Sequence, residues 1–192
     1  MYEFIEGEIV ERSPAHLVVK AGSIAYLLHV SVNTFSNLGT SETAKLYLHH
    51  VVREDAQLLF GFANKQEREV FRLLISVSGV GANTARLILS SMTPAEVSTS
   101  ILSGNVVALQ NVKGIGAKSA QRIIVDLRDK VGKASERDDL FHPQDNTVRE
   151  EALSALVALG FPRKTVEKSL AKVIQGEEQS VEEVVKGALK LM

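Results

Sequence analysis

Residues 71–90, "FRLLISVSGVGANTARLILS", align without a gap on residues 106–125, "VVALQNVKGIGAKSAQRIIV", and the reading of the chain turns on this repeat. Gly79, Gly81 and Ala85 fall on Gly114, Gly116 and Ala120, Val80 falls on Ile115, and Ile88 on Ile123. Each copy reads as a helix, a Gly-apolar-Gly turn, and a second helix that opens on small or polar residues. Glycine lets such a turn take positive φ and leaves no side chain between backbone and ligand. The second helix then aims free N–H groups and the positive end of its dipole at an incoming anion. The candidate phosphate-binding residues are Gly79, Val80, Gly81, Asn83 and Thr84 in the first copy. Gly114, Ile115, Gly116, Lys118 and Ser119 are their counterparts in the second.

A lone Gly-x-Gly can equally be a plain tight turn between helices. Charge helps to separate the readings. The net charge of −1 is the average of segregated segments. Residues 1–63 hold four Lys/Arg against seven Asp/Glu, 64–133 hold ten against five, 134–146 are net −3, and 147–192 balance. Both copies of the repeat lie in the basic stretch, where a polyanion would bind. The pattern resembles the helix-hairpin-helix motif of DNA-binding proteins, whose contacts track the sugar-phosphate backbone and carry little base information.

Outward from the repeat, the period of the sequence changes. "EFIEGEIV", "HLVVKAG", "IAYLLHV", "AKLYLHHVV" and "AQLLFGF" are short, β-branched or aromatic runs separated by Gly, Asn and Ser. Five strands in so short a stretch predict a small antiparallel barrel over residues 1–63, with an oligonucleotide-binding (OB) type barrel as one candidate. From Asn64 the spacing becomes helical, with Val70, Phe71, Leu74 and Ile75 on one face. "TPAE" at 93–96 is a capping box with Pro94 at the first helical position. Residues 64–132 read as a tandem helical domain, and 133–146 as a flexible acidic linker, with an ordered acidic loop as the alternative. Residues 147–192 read as a three-helix module broken near Gly160-Phe161-Pro162 and Gly176. The expected class is α+β and multidomain.

Several chemistries fail on spacing. "GIGAKS" lacks the glycine that a P-loop needs directly before its lysine, since Ala117 stands there, so no ATP site is expected. Thr84 and Ser119 stand where a dinucleotide fingerprint would need its last glycine. His49 and His50 are adjacent on a strand and point to opposite faces, so no metal site is expected. The chain has no cysteine, which excludes disulfides and thiolate ligands. "MYEFIEGEIVER" is not a secretory signal and no run approaches a membrane span, so the expected location is cytoplasmic, with no cofactor.

In "VVREDAQLLFGF", residues 51–62, two strand-like runs meet at Glu54-Asp55. This motif, the paired hairpins, the acidic segment and the small helical module, in this order, resemble the RuvA family of Holliday-junction-binding subunits. The resemblance covers essentially the whole chain and is strongest over residues 50–130. It implies an OB-type barrel, a tandem helix-hairpin-helix domain and a mobile C-terminal domain resembling three-helix ubiquitin-associated (UBA-like) modules. It further implies a non-enzymatic homotetramer, or an octamer of two face-to-face tetramers, on four-way junction DNA. The implied partners are the RuvB motor ATPase and the RuvC resolvase, in recombination, DNA repair and the SOS response to DNA damage.

Carried onto this chain, the hairpin glycines and Lys118 become phosphate contacts, and Glu54 and Asp55 an acidic pin at the tetramer centre. Arg53 becomes a further DNA contact. Four copies of the pin would repel phosphate and reject a continuous duplex, whereas hairpin-tip solubility is the plainer reading of those acids. Relatives often carry a basic residue near Asn83, so the first hairpin here is expected to rely on backbone N–H groups. In the C-terminal module, Leu156, Leu159 and Phe161 read as core, and the apolar residues from Leu170 to Leu191, including Leu170, Val184 and Leu189, as a motor-binding region. A repair enzyme is the rival reading, with Asp126 and Asp129 as its carboxylates, but these read better as surface charges on a helix. A protein-interaction adaptor would leave the repeat unexplained.

Overall fold

The computed structural model describes residues 2–139, 148–173 and 180–191, in two compact units, Met1–Ala134 and Ser135–Met192. In the first unit the alternating N-terminal runs form β1 (Phe4–Ser13), β2 (His16–Ala21), β3 (Ile24–Val30), β4 (Thr43–Val52) and β5 (Gln57–Phe62). They close into a barrel in the order β1-β2-β3-β5-β4, antiparallel except for the β3–β5 pair. Ile5, Leu17, Val19, Leu28, Val30, Ala44, Leu46 and Leu48 fill its interior. Closure satisfies backbone groups that an open sheet of this size would leave bare. β1 and β2 approach so closely at Gly7 that a Cβ would lie 2.1 Å from the Lys20 carbonyl oxygen, so only glycine fits there. The expected barrel is present. A short helix between β3 and β4, α1 (Val32–Leu38), was not expected: its one fully buried residue is polar Thr34, and only Phe35 and Leu38, both partly buried, pack on the barrel interior.

The helices that follow are α2 (Lys65–Ile75), α3 (Ala82–Ser91), α4 (Pro94–Ser103), α5 (Val106–Gln110) and α6 (Ala117–Asp139). Asn64 caps α2 through the Glu67 N–H, and Thr93 and Glu96 close the predicted capping box on α4. α6 continues to Asp139, past the expected domain boundary at 132. After Gly132 the segment "KASERDD" holds no further breaker, and Lys, Ala, Glu and Arg propagate a helix readily. The rest of the expected linker, residues 140–146, lies outside the described residues.

Barrel and helices share one core. Phe71 of α2 packs on Phe60 and Phe62 of β5 at centroid distances of 5.1 and 4.9 Å, and these residues run on into the interior of the helical region. Polar side chains fasten the same seam. Buried Glu67 accepts from the Ser31 and Thr34 hydroxyls, the latter at 2.6 Å. Arg68, also buried, donates to the Glu3 carbonyl oxygen at 2.9 Å and to the Glu3 carboxylate at 2.7 Å. That guanidinium holds the Glu3 carboxyl below the usual carboxylate range.

His49 stacks its edge against Phe71 at 5.3 Å. Burial, with Arg72 and Arg68 close by, holds its imidazole below the ordinary value of 6.5. The folded state thus disfavours the charged ring, so this contribution to stability is complete above the ordinary pKa and is lost as pH falls below it. Denaturant unfolding at about pH 7.5 and about pH 5.5 should show that loss, and it should be smaller in His49→Gln.

In the second unit, α7 (Val148–Ala158), α8 (Arg163–Val173) and α9 (Val181–Leu189) pack around Ala152, Leu156, Val166, Leu170, Val184 and Ala188. Leu170 and Val184 are fully buried, so they hold the module together and cannot present an apolar face to a partner. Leu189 is partly exposed, and Leu159, expected in the core, is 64% exposed. Helical spacing shows which residues share a face, but not which face the other two helices cover. Leu170→Ala should therefore cost about 2–5 kcal/mol of stability in denaturant unfolding, and Leu159→Ala less than about 0.5 kcal/mol.

Candidate nucleic-acid interface

The two copies of the repeat are built alike in atomic detail. Leu74, Val77, Val80, Ala85, Ile88 and Leu89 of the first correspond to Leu109, Val112, Ile115, Ala120, Ile123 and Ile124 of the second, and all twelve are buried in the same core. In each turn the apolar residue points inward and its N–H is already used. Val80 donates to the Val77 carbonyl oxygen and Ile115 to that of Val112, both at 3.0 Å. Val80 and Ile115 therefore anchor the turns and have neither side chain nor N–H to offer a phosphate, which corrects the expected set of contact residues.

The glycines divide into two roles. Gly79 and Gly114 have φ of +90° and +91°, a conformation that a side chain strains in either copy. Gly81 and Gly116 do not need that freedom: Gly81 is extended at φ −83°, and a Cβ on either would meet nothing within 4 Å. Internal packing therefore does not require glycine at these two positions. What its absence of side chain keeps clear is the approach to the helix ends behind it.

Those ends are unusual within the unit. Side chains of Ser31, Asn64, Thr93 and Asn105 cap α1, α2, α4 and α5, whereas α3 begins at Gly81 with no side-chain cap. α6 begins after Gly116, which has no side chain to offer. The first N–H groups of both helices are thus left for an outside acceptor, and the dipole favours an anionic one. Asn83 is exposed and Thr84 half-buried beside the first end; Lys118 is exposed and Ser119 half-buried beside the second. Lys113, exposed just before Gly114, adds a second positive charge to that turn, where the first copy has Ser78. Its place next to the turn glycine was legible in the sequence.

Not all of the basic charge in this stretch faces outward. Arg68 is buried in the seam, and Arg86 donates to the Ala15 carbonyl oxygen at 2.8 Å. Asp126 lies 3.7 Å from Arg122 one turn away on α6, an ordinary exposed helix pair.

β4 and β5 pair up to Val52 and Gln57, and the Arg53 N–H closes the tip on the Ala56 carbonyl oxygen at 2.8 Å. Arg53, Glu54 and Asp55 are all exposed, and among the described residues none of them joins an ion pair. Val51 and Leu58, just below the tip, pack against the core of the helical region. The acidic tip and both helix ends consequently belong to one packed unit.

A barrel fused through a common core to two uncapped helix-hairpin-helix turns is the architecture of a DNA-binding class of protein. The chain matches the RuvA N terminal domain over residues 1–61, a SAM-like helix-hairpin-helix tandem over 71–129, and the RuvA C-terminal domain over 147–192. It is 48% identical, over 99% of both chains, to the Holliday junction branch migration complex subunit RuvA of Christiangramia forsetii. Identity is 49% over the full length of both chains to the protein of that name from Parabacteroides distasonis, and 44% over 99% of both to that from Flavobacterium psychrophilum. The chain belongs to the RuvA family.

The two glycine roles separate in a test. Gly79→Ala and Gly114→Ala should each destabilise the protein by about 1–3 kcal/mol through backbone strain. Gly81→Ala and Gly116→Ala, which lose only glycine's preference over alanine at the start of a helix, should cost less than about 1 kcal/mol in denaturant while binding of a DNA duplex weakens. A stability loss at Gly81 and Gly116 equal to that at Gly79 and Gly114 would contradict the division.

Proposed function

We propose that this chain recognises four-way (Holliday) junction DNA through backbone contacts and serves as the non-enzymatic subunit of a branch-migration complex. The observation that carries this is the pair of matching uncapped helix ends in the basic stretch, set in one unit with an unpaired acidic tip. The names of the relatives, subunits of the Holliday junction branch migration complex, point the same way. Gly79, Gly81, Asn83 and Thr84 hold one phosphate segment through N–H groups and polar side chains; Gly114, Gly116, Lys118 and Ser119, with Lys113, hold another with added charge. Each cation that neutralises a phosphate steepens the fall of affinity with salt.

In the same reading four chains assemble on the open junction as a homotetramer, or eight as a pair of tetramers, in the cytoplasm. Repetition of the two hairpins then raises avidity without new kinds of contact. Glu54 and Asp55 gather beneath the crossover and repel the phosphates of a duplex that tries to run straight through, while Arg53 marks the edge of that field. The C-terminal module recruits the RuvB motor ATPase, which supplies the ATP-driven step, and the RuvC resolvase acts on the same junction. The exposed apolar residues of that module, Leu159 and Leu189 among them, are better suited to the docking than buried Leu170 and Val184. Among the described residues, no helix is long and apolar enough to cross a membrane.

A band-shift comparison of a four-way junction with a linear duplex of the same sequence, under competitor DNA, tests the reading. The protein should prefer the junction, and the doubly neutralised Glu54→Gln/Asp55→Asn variant should bind linear duplex more tightly and lose part of that preference. Equal affinity of the parent for both DNAs would overturn the function, and a variant weaker on every DNA would overturn the role of the acids.

A further inference from the structure

The two hairpins are alike in their turns but not in what holds their second helices. α3 is braced from the barrel at its far end. The Asn33 amide nitrogen on α1 donates to the Leu89 carbonyl oxygen at 2.6 Å and to that of Met92 at 2.9 Å. Leu89 is in the last turn of α3, and the Thr93 N–H that would otherwise take its carbonyl bonds the Glu96 carboxylate instead, at 2.7 Å. The Val32 N–H donates to the Ser90 hydroxyl at 3.1 Å, and that hydroxyl donates to the Arg86 carbonyl oxygen at 2.8 Å. α1 is itself held by Glu67 of α2 through Ser31 and Thr34.

The second hairpin has no such device at the matching place. Ile124 and Val125 correspond to Leu89 and Ser90, but they lie in the middle of a helix of 23 residues, where the backbone is satisfied internally. Val125 is 76% exposed, so the barrel does not cover it. Charge is unequal in the opposite sense: Lys113 and Lys118 flank the second turn, and Ser78 and Asn83 take their places in the first.

We propose that Asn33 is a positioning residue for the first hairpin, and that the hairpins divide their work. α3, about 15 Å long, acts as a lever whose braced end sets where its free N–H groups stand relative to the acidic tip. The first hairpin reads the placement of a phosphate, and the second supplies most of the charge-dependent affinity. This rests on the junction-binding reading above, because position matters most where arms must diverge at a set angle from one point.

Asn33→Asp tests the brace, since it keeps the shape of the side chain and removes the donors that face two carbonyl oxygens. Asn33→Gln restores the donors on a longer arm. The chain has no cysteine, so spin labels at Val52→Cys and Leu87→Cys, both exposed, are unique, and labelled chain diluted into unlabelled chain reports the distance between tip and α3 without DNA. The distribution should broaden or shift in Asn33→Asp and recover in Asn33→Gln. Each protein is then titrated well below its unfolding temperature. Asn33→Asp should cut the preference for junction over linear duplex by about fivefold, the worth of roughly one net hydrogen bond, and leave the salt dependence as in the parent. Lys118→Ala should instead weaken both DNAs and reduce the salt slope by about one.

An unchanged distance distribution in Asn33→Asp would overturn the brace. A disturbed distribution with junction preference intact would overturn its part in recognition. Absence of any junction preference in the parent would overturn the functional reading and the selectivity claim with it, while the distance measurement judges the brace by itself.

Discussion

Glu67 and Arg68, neighbours of opposite charge in the first turns of α2, are both buried at the seam between barrel and helices, and what the hairpins and the acidic tip can do together depends on that seam. Removing two charges from water is costly, and it is tolerated where hydrogen bonds replace hydration. Here Ser31 and Thr34 supply the carboxylate, while Glu3 and the Leu48 carbonyl oxygen, at 3.4 Å, supply the guanidinium. The apolar contact of Phe71 with Phe60 and Phe62 supplies the attraction, and the polar groups select one docking out of many that would bury the same rings.

The seam also explains how negative charge belongs in a protein that binds a polyanion. Charges on a mobile loop would move away from an approaching duplex. Glu54 and Asp55 sit on a closed hairpin whose base, Val51 and Leu58, is half-buried against the core that contains Val80 and Ile115. In the proposed role, attraction at the helix ends and repulsion at the tip therefore act from one packed unit. Under the proposed function, a DNA whose backbones diverge satisfies both, whereas a straight duplex engages the hairpins only by meeting the acids. Selectivity then comes from geometry imposed on general electrostatics, with no base contacts needed.

Much of this was legible in the sequence, and the omissions have two causes. Short β-branched and aromatic runs between turn residues marked all five strands, including β5, which is buried at Phe60, Gly61 and Phe62 in succession, and the repeat pointed to two hairpins. α1 was missed because Ser31, Asn33 and Thr34 act through hydrogen bonds to residues far along the chain, which leave no periodic trace. Val80 and Ile115 were misassigned because a motif marks a turn as a unit and does not say which of its N–H groups the turn consumes. Leu170 and Val184 lie on the apolar stripes of α8 and α9, and spacing alone does not show that the other helices of the module cover those stripes. The end of α6 was misplaced because Gly132 suggested a stop that the helix-forming residues after it override. For α1 and the C-terminal module the missing information was tertiary, namely which partner already occupies a group; for Val80, Ile115 and the end of α6 it was local, an N–H bonded three residues back and the helix propensity of the residues after Gly132.

Hydroxyl-radical footprinting of a four-way junction tests the central claim most directly, because it reports each backbone position separately. With hairpins and acidic tip fixed in one unit, protection should appear on all four arms at matching distances from the crossover, with the crossover nucleotides left open to cleavage. Protection running continuously through the crossover, or spread evenly along the arms as on linear duplex, would contradict the account.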